Sequence, residues 1–261
     1  MKILNTTTRL RLSRLVLLLL ASALLVGCVS INRLREAQDS FNQAAAAENA
    51  ARLGAASGQA AGNLAAIQAG YSAALLSLGK LEPADQASLK NDGLWGGALT
   101  LKALCQWRLA QYDQAMQTVA QARAAATNQL YPRDAALIAA LPGLIKTDQA
   151  YTKMMNAGTM SDIQALLTGD NGAIANIQSA RATVDKDHPV QMYLIEAQLA
   201  AFRNFTVALE KHGLPPLSHT NQIYVDAQGR LHELSQLAQK LGNTDDQAAV
   251  AAWGRILGIV P

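Results

Sequence analysis

The sequence has few charged residues, few aromatic residues and very little that is typical of β-strands. Charged residues make up 16% of the chain and aromatic residues 5%. Runs of Val, Ile and Thr are nearly absent, whereas alanine, which has the highest intrinsic helix propensity, is abundant. The composition therefore predicts an all-α protein.

A basic surface is also lacking, although the formal net charge is +3. Four of the 22 basic residues, Lys2, Arg9, Arg11 and Arg14, lie in the first 14 residues, where no acidic residue occurs. The rest of the chain has 18 basic residues against 19 acidic residues. This balance argues against a nucleic-acid-binding protein, which would need a basic patch.

Only one long hydrophobic run is present, and it follows the basic N-terminus. Leu15 to Val26 is almost purely apolar, with Ser22 as its only polar side chain. A helix over this run would be about 18 Å long, well short of the roughly 30 Å hydrocarbon core of a bilayer. The run therefore predicts the apolar region of a signal peptide and not a permanent membrane span.

The end of this run, Leu25-Val26-Gly27-Cys28, resembles the lipobox of bacterial lipoproteins. The resemblance implies a signal peptide over residues 1–27, cleavage before Cys28, and a covalent lipid on the Cys28 thiol as the only attached group. Val29 stands where Asp would favour retention in the inner membrane, so the implied location is the periplasmic face of the outer membrane. An ordinary signal peptide, or a buried cysteine at a helix end, remains the alternative.

The remaining 234 residues, 28–261, are predicted to form a single all-α domain. Apolar residues recur every three or four positions, which is typical of amphipathic helices. In 63–78 this spacing predicts that the inward side consists of Leu64, Ile67, Tyr71, Leu75 and Leu78. The predicted helices cover 29–53, 63–78 with a C-terminal cap at Gly79, 94–109, 111–126, 132–155 with a kink or break at Pro142-Gly143, a helix capped by Ser161 that ends at Gly169, a helix capped by Asn171 that runs to Val184, 189–212, 223–241, and 245–257 capped by Asn243 or Thr244. Residues 54–62 are predicted to be a break, and 81–93 a loop with at most one helical turn.

The segment 109–115 resembles the turn between the two helices of a tetratricopeptide repeat. Ala110 matches the small residue of that turn and Tyr112 its aromatic residue, and the spacing of Ala115, Val119 and Ala122 matches the second helix. Lys102 and Gln106 depart from the pattern, which usually has Leu and Tyr there. The match covers about 30 residues, and it implies an array of helical hairpins, a tetratricopeptide-like α-solenoid.

One segment is compatible with two structures. Residues 223–241 fit a helical seam, but 223–233 could also form a small β-hairpin with Gly229 at its bulge. Helix is favoured, because two strands alone are only marginally stable.

Candidate site residues are few. Tyr71, Trp95, Trp107 and Tyr112 are expected to pack in the core or in hairpins, and they are also where a binding surface is predicted if the chain has one. Cys105 lies in a helical pattern and is predicted to be a small core residue.

No metal or catalytic site is predicted. His212, His219 and His232 are spread over a proline-rich linker and the ambiguous segment, so they are not expected to converge on a metal even with Glu210 and Glu233 nearby. His188 precedes a helix and is expected to cap it or to lie on the surface. No nucleophile motif or phosphate-binding loop occurs, so the chain is predicted not to be an enzyme.

These features predict a lipid-anchored periplasmic protein that binds an envelope protein as an adaptor or assembly factor. The alternative is a helical lipoprotein that binds a small molecule as the accessory component of a transport system. The two differ in whether the helices display a groove or enclose a cavity.

The lipid anchor has a direct test. Mass spectrometry of the protein purified from its native membrane should find a chain that begins at Cys28 and carries fatty acids. A Cys28→Ala variant should keep the leader and incorporate no labelled palmitate, because the thiol that accepts the lipid is gone. An intact leader, or a trimmed chain without fatty acids, in the unmutated protein would contradict the prediction.

Overall fold

The computed structural model describes residues 29–56, 63–125, 131–242 and 244–259, and all regular structure within these ranges is helical. The all-α class is therefore confirmed. The predicted leader and Cys28 lie outside the described residues. The chain divides into two compact units, Met1–Leu130 and Tyr131–Pro261. The range predicted as a single domain, 28–261, covers most of the first unit and all of the second.

Unit 1 is built from two helical hairpins with a short helix between them. Its core contains side chains from the first four helices, with Ala37, Leu89 and Cys105 fully buried. In chain order the helices are α1 (Val29–Ala56), α2 (Leu64–Gly79), α3 (Pro83–Asn91), α4 (Trp95–Arg108) and α5 (Tyr112–Ala125).

The first hairpin pairs α1 with α2 in antiparallel orientation. The two helices approach closely at Gly70, where a Cβ atom would lie 2.8 Å from the Cβ of Ala44. The first helix continues to Ala56, past the break predicted at Gly54, and residues 57–62 lie outside the described ranges. The predicted glycine cap at Gly79 is wrong, because Lys80 follows the last helical residue in a right-handed conformation.

The segment predicted as a loop, 81–93, contains the nine-residue helix α3. Its start is stabilised by a capping box in which Glu82 and Asp85 exchange side chain–backbone hydrogen bonds, and Pro83 takes the first helical position. The left-handed backbone after this helix is at Gly93, with φ of 70°. The prediction gave too little weight to this capping signal.

The second hairpin, α4 and α5, confirms the prediction for 94–126 to within a few residues. Its turn holds Ala110 in the left-handed region, with φ of 57°. Gln106, which departs from the repeat pattern, is buried, and its Oε1 accepts a 2.7 Å hydrogen bond from Oγ1 of Thr118 on α5. A polar pair therefore takes the place of an apolar contact inside this hairpin.

Unit 2 has α9 at its centre, packed against the other described helices of the unit. Side chains of α9 enter two core clusters, one with α6, α7 and α8 and one with α10 and α11. The helices are α6 (Pro132–Met155), α7 (Met160–Thr168), α8 (Ala173–Arg181), α9 (Val190–Lys211), α10 (Gln222–Leu241) and α11 (Thr244–Leu257).

The ambiguous segment is helical, so the alternative of a β-hairpin at 223–233 is wrong. The helix α10 begins after Asn221, whose side chain accepts a hydrogen bond from the backbone N–H of Ile223. It ends before Gly242, which has φ of 67°. Gly229 lies within the helix and faces open space.

A kink or a break was predicted at Pro142-Gly143, and the break is wrong, because α6 runs without interruption from Pro132 to Met155. A proline inside a helix removes one backbone hydrogen bond. Packing on both sides of Pro142 holds the helix, since Leu141 and Leu144 are buried. Gly143 lies directly against α8, where a Cβ atom would be 2.8 Å from the carbonyl oxygen of Ala173.

Two predicted helix caps differ from the structure by one or two residues. The start of α7 is capped by Thr159 and not by Ser161, since Oγ1 of Thr159 accepts a 3.2 Å hydrogen bond from the N–H of Asp162. Gly172, and not Asn171, precedes α8, which ends at Arg181 instead of Val184. The last helix begins at Thr244, and Asn243 lies outside the described residues.

Two helical glycines of unit 2, Gly143 and Gly229, give a matched pair of substitutions. Gly143→Ala should lower the free energy of unfolding by about 1–3 kcal/mol, because the added methyl group would clash with α8. Gly229→Ala should raise it by about 0.5–1 kcal/mol, because alanine favours the helix and meets no neighbour. Urea unfolding followed by circular dichroism measures both. An increase for both variants would contradict the close contact between α6 and α8.

Candidate binding surface

The four predicted aromatic residues lie at two different places in unit 1. Tyr71 and Trp107 are buried, whereas Trp95 and Tyr112 are half-buried. Trp95 begins α4 and Trp107 lies near its end, about 18 Å away along the helix axis. The four side chains therefore do not surround one common ligand position.

At one end of unit 1, Glu48 connects three helices. Its Oε2 accepts a hydrogen bond from the hydroxyl of Tyr71 on α2, and its Oε1 accepts a 3.0 Å hydrogen bond from Nη1 of Arg108 on α4. The Arg108 guanidinium carbon lies 3.9 Å from the centre of the Trp107 ring. The Phe41 ring is 5.3 Å from that of Tyr71. Tyr71 and Trp107 therefore contribute to packing between α1, α2 and α4.

Near the start of α4, Trp95 packs against the main core of unit 1. Its ring lies 5.7 Å from Nζ of Lys90, which is within the range of a cation–π interaction. This contact joins the end of α3 to the beginning of α4. It is a contact within the unit and accounts for the partial burial of Trp95.

Cys105 is confirmed as a small core residue. Its side chain is fully buried, and burial raises the pKa of its thiol to about 12. A thiol that stays protonated at neutral pH is a poor nucleophile.

The histidines make local contacts. Nδ1 of His188 accepts a 3.2 Å hydrogen bond from the N–H of Val190, so it caps α9 as expected. His232 contacts Gln236 on the same helix, and the His219 ring lies 4.7 Å from that of Tyr224. Within the described ranges, no cluster of three or more His, Cys, Asp or Glu side chains could hold a metal ion.

A buried polar cluster that could not be recognised from the sequence centres on Arg181 at the end of α8. Nε of Arg181 donates to Oε1 of Gln191 at 2.9 Å, and Nη1 donates to Oε1 of Gln198 at 2.8 Å. Nη2 donates to Oε2 of Glu233 on α10 at 2.7 Å. Both glutamines belong to α9 and are almost completely buried. One guanidinium group therefore joins three helices.

The charges in this cluster are stabilised by each other. Burial lowers the pKa of Arg181, and the hydrogen bond from Arg181 to Glu233 opposes that effect. Burial alone would raise the pKa of Glu233, but hydrogen bonds from Arg181 and Arg230 outweigh it, so this pKa lies below its usual value. The cluster stabilises the packing of α8, α9 and α10, since its buried side chains provide one another's hydrogen-bond partners.

An uncharged surface with two exposed leucines lies on the outer side of α2. This helix has no Asp, Glu, Lys or Arg in its 16 residues. Leu64, predicted to point inward, is 65% exposed, and Leu76 is 63% exposed. Between them, on the same exposed side, lie only small or uncharged side chains, namely Ala65, Ala66, Gln68, Ala69, Ser72 and Ala73.

We call this side of the helix the α2 face. It is uncharged although it is open to solvent, whereas solvent-exposed helix surfaces are usually polar or charged. Charged residues are depleted at the centres of protein interfaces, and small side chains allow the backbone of a second helix to approach closely. The α2 face therefore has the chemistry of an interface for an apolar helix.

Among the residues that the structure describes, no helix is both long enough and apolar enough to span a bilayer. A comparison of the chain with protein-family models, with curated proteins and with solved structures found no match.

Arg181 and Arg230 bind the same carboxylate, but their removal should lower the free energy of unfolding by very different amounts. Arg181→Ala should lower the free energy of unfolding by about 3 kcal/mol, because it leaves two buried glutamine oxygens and part of Glu233 without their donor. Arg230→Ala should cost less than about 1 kcal/mol, since its pair with Glu233 is nearer to solvent. Urea denaturation measures both free energies of unfolding. Equal losses would show that the hydrogen bonds from Arg181 to the two buried glutamines add no stability.

Proposed function

We propose that this protein is a membrane-anchored periplasmic lipoprotein that binds an envelope protein through its helical surface, as an adaptor or assembly factor. The proposal has two parts, an anchor on Cys28 and a binding surface on unit 1. The binding activity is non-catalytic, and its partner is a protein.

The α2 face is the observation that carries the binding part. Two leucines, Leu64 and Leu76, expose more than half of their surface on a helix without any charged side chain. Burial of apolar surface contributes roughly 25 cal/mol per Å² removed from water. A partner helix with an apolar stripe would cover both leucines and rest on the alanines between them.

The anchor part is supported by the sequence. The basic residues before the apolar run, the length of that run, and the position of Cys28 after Gly27 agree with a lipoprotein leader. Two or more acyl chains give stable attachment to a membrane, whereas a single chain gives only marginal attachment. A tethered adaptor would meet its partner in the plane of the membrane.

The resemblance of 109–115 to a tetratricopeptide turn agrees with this function, because stacked helical hairpins present extended surfaces for peptides or helices. The hairpins α1–α2 and α4–α5 are units of that kind, and α2 packs against α4. This resemblance is to a general class of helical-repeat proteins, and it does not identify the partner.

The binding surface can be tested by one charge placed at its centre. Ala69 is exposed in the middle of the α2 face, so Ala69→Glu should leave the fold intact and place a charge inside the interface. Burying an unpaired charge costs several kcal/mol, so recovery of the partner should fall by at least about tenfold. Co-purification from crosslinked envelope extracts, quantified by mass spectrometry, measures the change.

The matched control is Gln43→Glu, which adds the same charge to the exposed side of α1. It should recover the same protein in wild-type amounts, and circular dichroism should show equal helicity in both variants. Equal recovery with both variants would contradict a role for the α2 face. Repeated failure of the wild-type protein to recover any partner would contradict the adaptor function itself.

A further inference from the structure

Four exposed side chains along the middle of the α2 face have the spacing of a coiled-coil seam. Ala65, Ala69, Ser72 and Leu76 follow one another at intervals of four, three and four residues, and all four are exposed. At 3.6 residues per turn they fall within an arc of about 60°. This spacing keeps one line of side chains directed at a second helix. We call these four residues the α2 seam.

The sizes of these side chains favour one orientation of a second copy of the same helix. In an antiparallel pair, Leu76 of each copy lies opposite Ala65 of the other, and Ser72 lies opposite Ala69. Large and small side chains then face each other at both ends, as close packing requires. In a parallel pair Leu76 would meet Leu76 at one end and Ala65 would meet Ala65 at the other. The α2 seam is therefore complementary to itself when it is antiparallel, and a two-fold contact needs such self-complementarity.

Charge also permits this pairing. Two copies of one surface bring like charges together, but α2 has no charged side chain. The exposed charges that follow it in the chain, Lys80 and Glu82, lie beyond the end of the helix. In the antiparallel pair the two copies of Lys80 are roughly 28 Å apart along the helix axis. Exposed charges are largely screened beyond about 8 Å at physiological ionic strength.

The size of the contact indicates where it can form. Stable interfaces usually take about 20–30 residues from each partner. The α2 face has eight exposed side chains from Leu64 to Leu76, so it is too small to hold two molecules together in dilute solution. Molecules held on one surface have a much higher effective concentration. The anchor of the proposed function, on which this inference rests, supplies a second copy in the same membrane.

We propose that two membrane-anchored copies of this chain cover each other's α2 face in an antiparallel two-fold contact, and that the envelope protein competes with this contact. The two-fold axis passes close to Gly70, between Ala69 and Ser72, and is perpendicular to both helices. The binding surface is then covered by a second copy until the partner displaces it. The fraction of free α2 faces falls as the density of the protein in the membrane rises.

Disulfide crosslinking tests the contact and its orientation. Two full-length versions with different tags, one Ala65→Cys and one Leu76→Cys, are produced in the same membrane and treated with a mild oxidant. The mixture should form disulfide-linked heterodimers, because the two positions face each other across the seam. Each variant alone should form several-fold fewer dimers, since identical positions are about 16 Å apart along the axis and a disulfide needs α-carbons within about 7 Å.

The controls use exposed positions that the article's other variants share. A mixture of Ala65→Cys with Gln43→Cys, which lies on the exposed side of α1, gives the background, including any reaction of Cys28 or Cys105. Adding Ala69→Glu to both versions should abolish the heterodimer, because two carboxylates would meet near the axis, whereas adding Gln43→Glu should not. The proposal is overturned by heterodimers no more abundant than this background, and equally by 65–65 dimers as abundant as 65–76 dimers.

The same Ala69→Glu variant separates this inference from the proposed function. If the 65–76 disulfide does not form but Ala69→Glu still lowers recovery of an envelope protein, the contact between copies is wrong and the adaptor function stands. If the disulfide forms but Ala69→Glu leaves recovery of the envelope protein unchanged, the copies pair and the competition is wrong.

Discussion

At Gly70 and at Gly143 the backbone of one helix lies against a neighbouring helix with no room for a methyl group. These contacts join α1 to α2 in unit 1 and α6 to α8 in unit 2. Alanines with no exposed surface extend the same close packing, including Ala37 and Ala74 in unit 1 and Ala173 and Ala180 in unit 2. These small residues let the helices approach closely, and the short interhelical distances add dispersion contacts to those of the buried leucines and isoleucines.

Several buried polar side chains inside the units form hydrogen bonds with one another. Gln106 and Thr118 satisfy each other within one hairpin, and Arg181 satisfies Gln191 and Gln198 across two helices. A buried polar group without a partner costs about 1–3 kcal/mol, and these groups are paired. Such pairs permit only a few arrangements of the helices, because an alternative packing would leave donors or acceptors unsatisfied.

The helical class and the positions of most helices could be predicted because apolar residues recur at the helical period, as at Ala115, Val119 and Ala122. One failure was local, since the helix α3 is marked by the capping box of Glu82 and Asp85. The other main failures depended on tertiary contacts. Periodicity placed Leu64 inside because it cannot tell which side of a uniformly apolar helix meets the core. Pro142 does not break α6 because its neighbours are held by packing. The Arg181 cluster joins residues up to 52 positions apart, and no local pattern marks such a group.

Cys105 makes the two units distinguishable in solution. Residues 131–261 contain no cysteine, and Cys105 is buried in unit 1. If Cys28 carries the proposed lipid, a thiol-reactive reagent can modify the chain only when unit 1 opens. The modification rate would then follow the opening equilibrium of unit 1, whatever the state of unit 2. A single buried sulfur atom thus serves as a built-in reporter of local unfolding in unit 1.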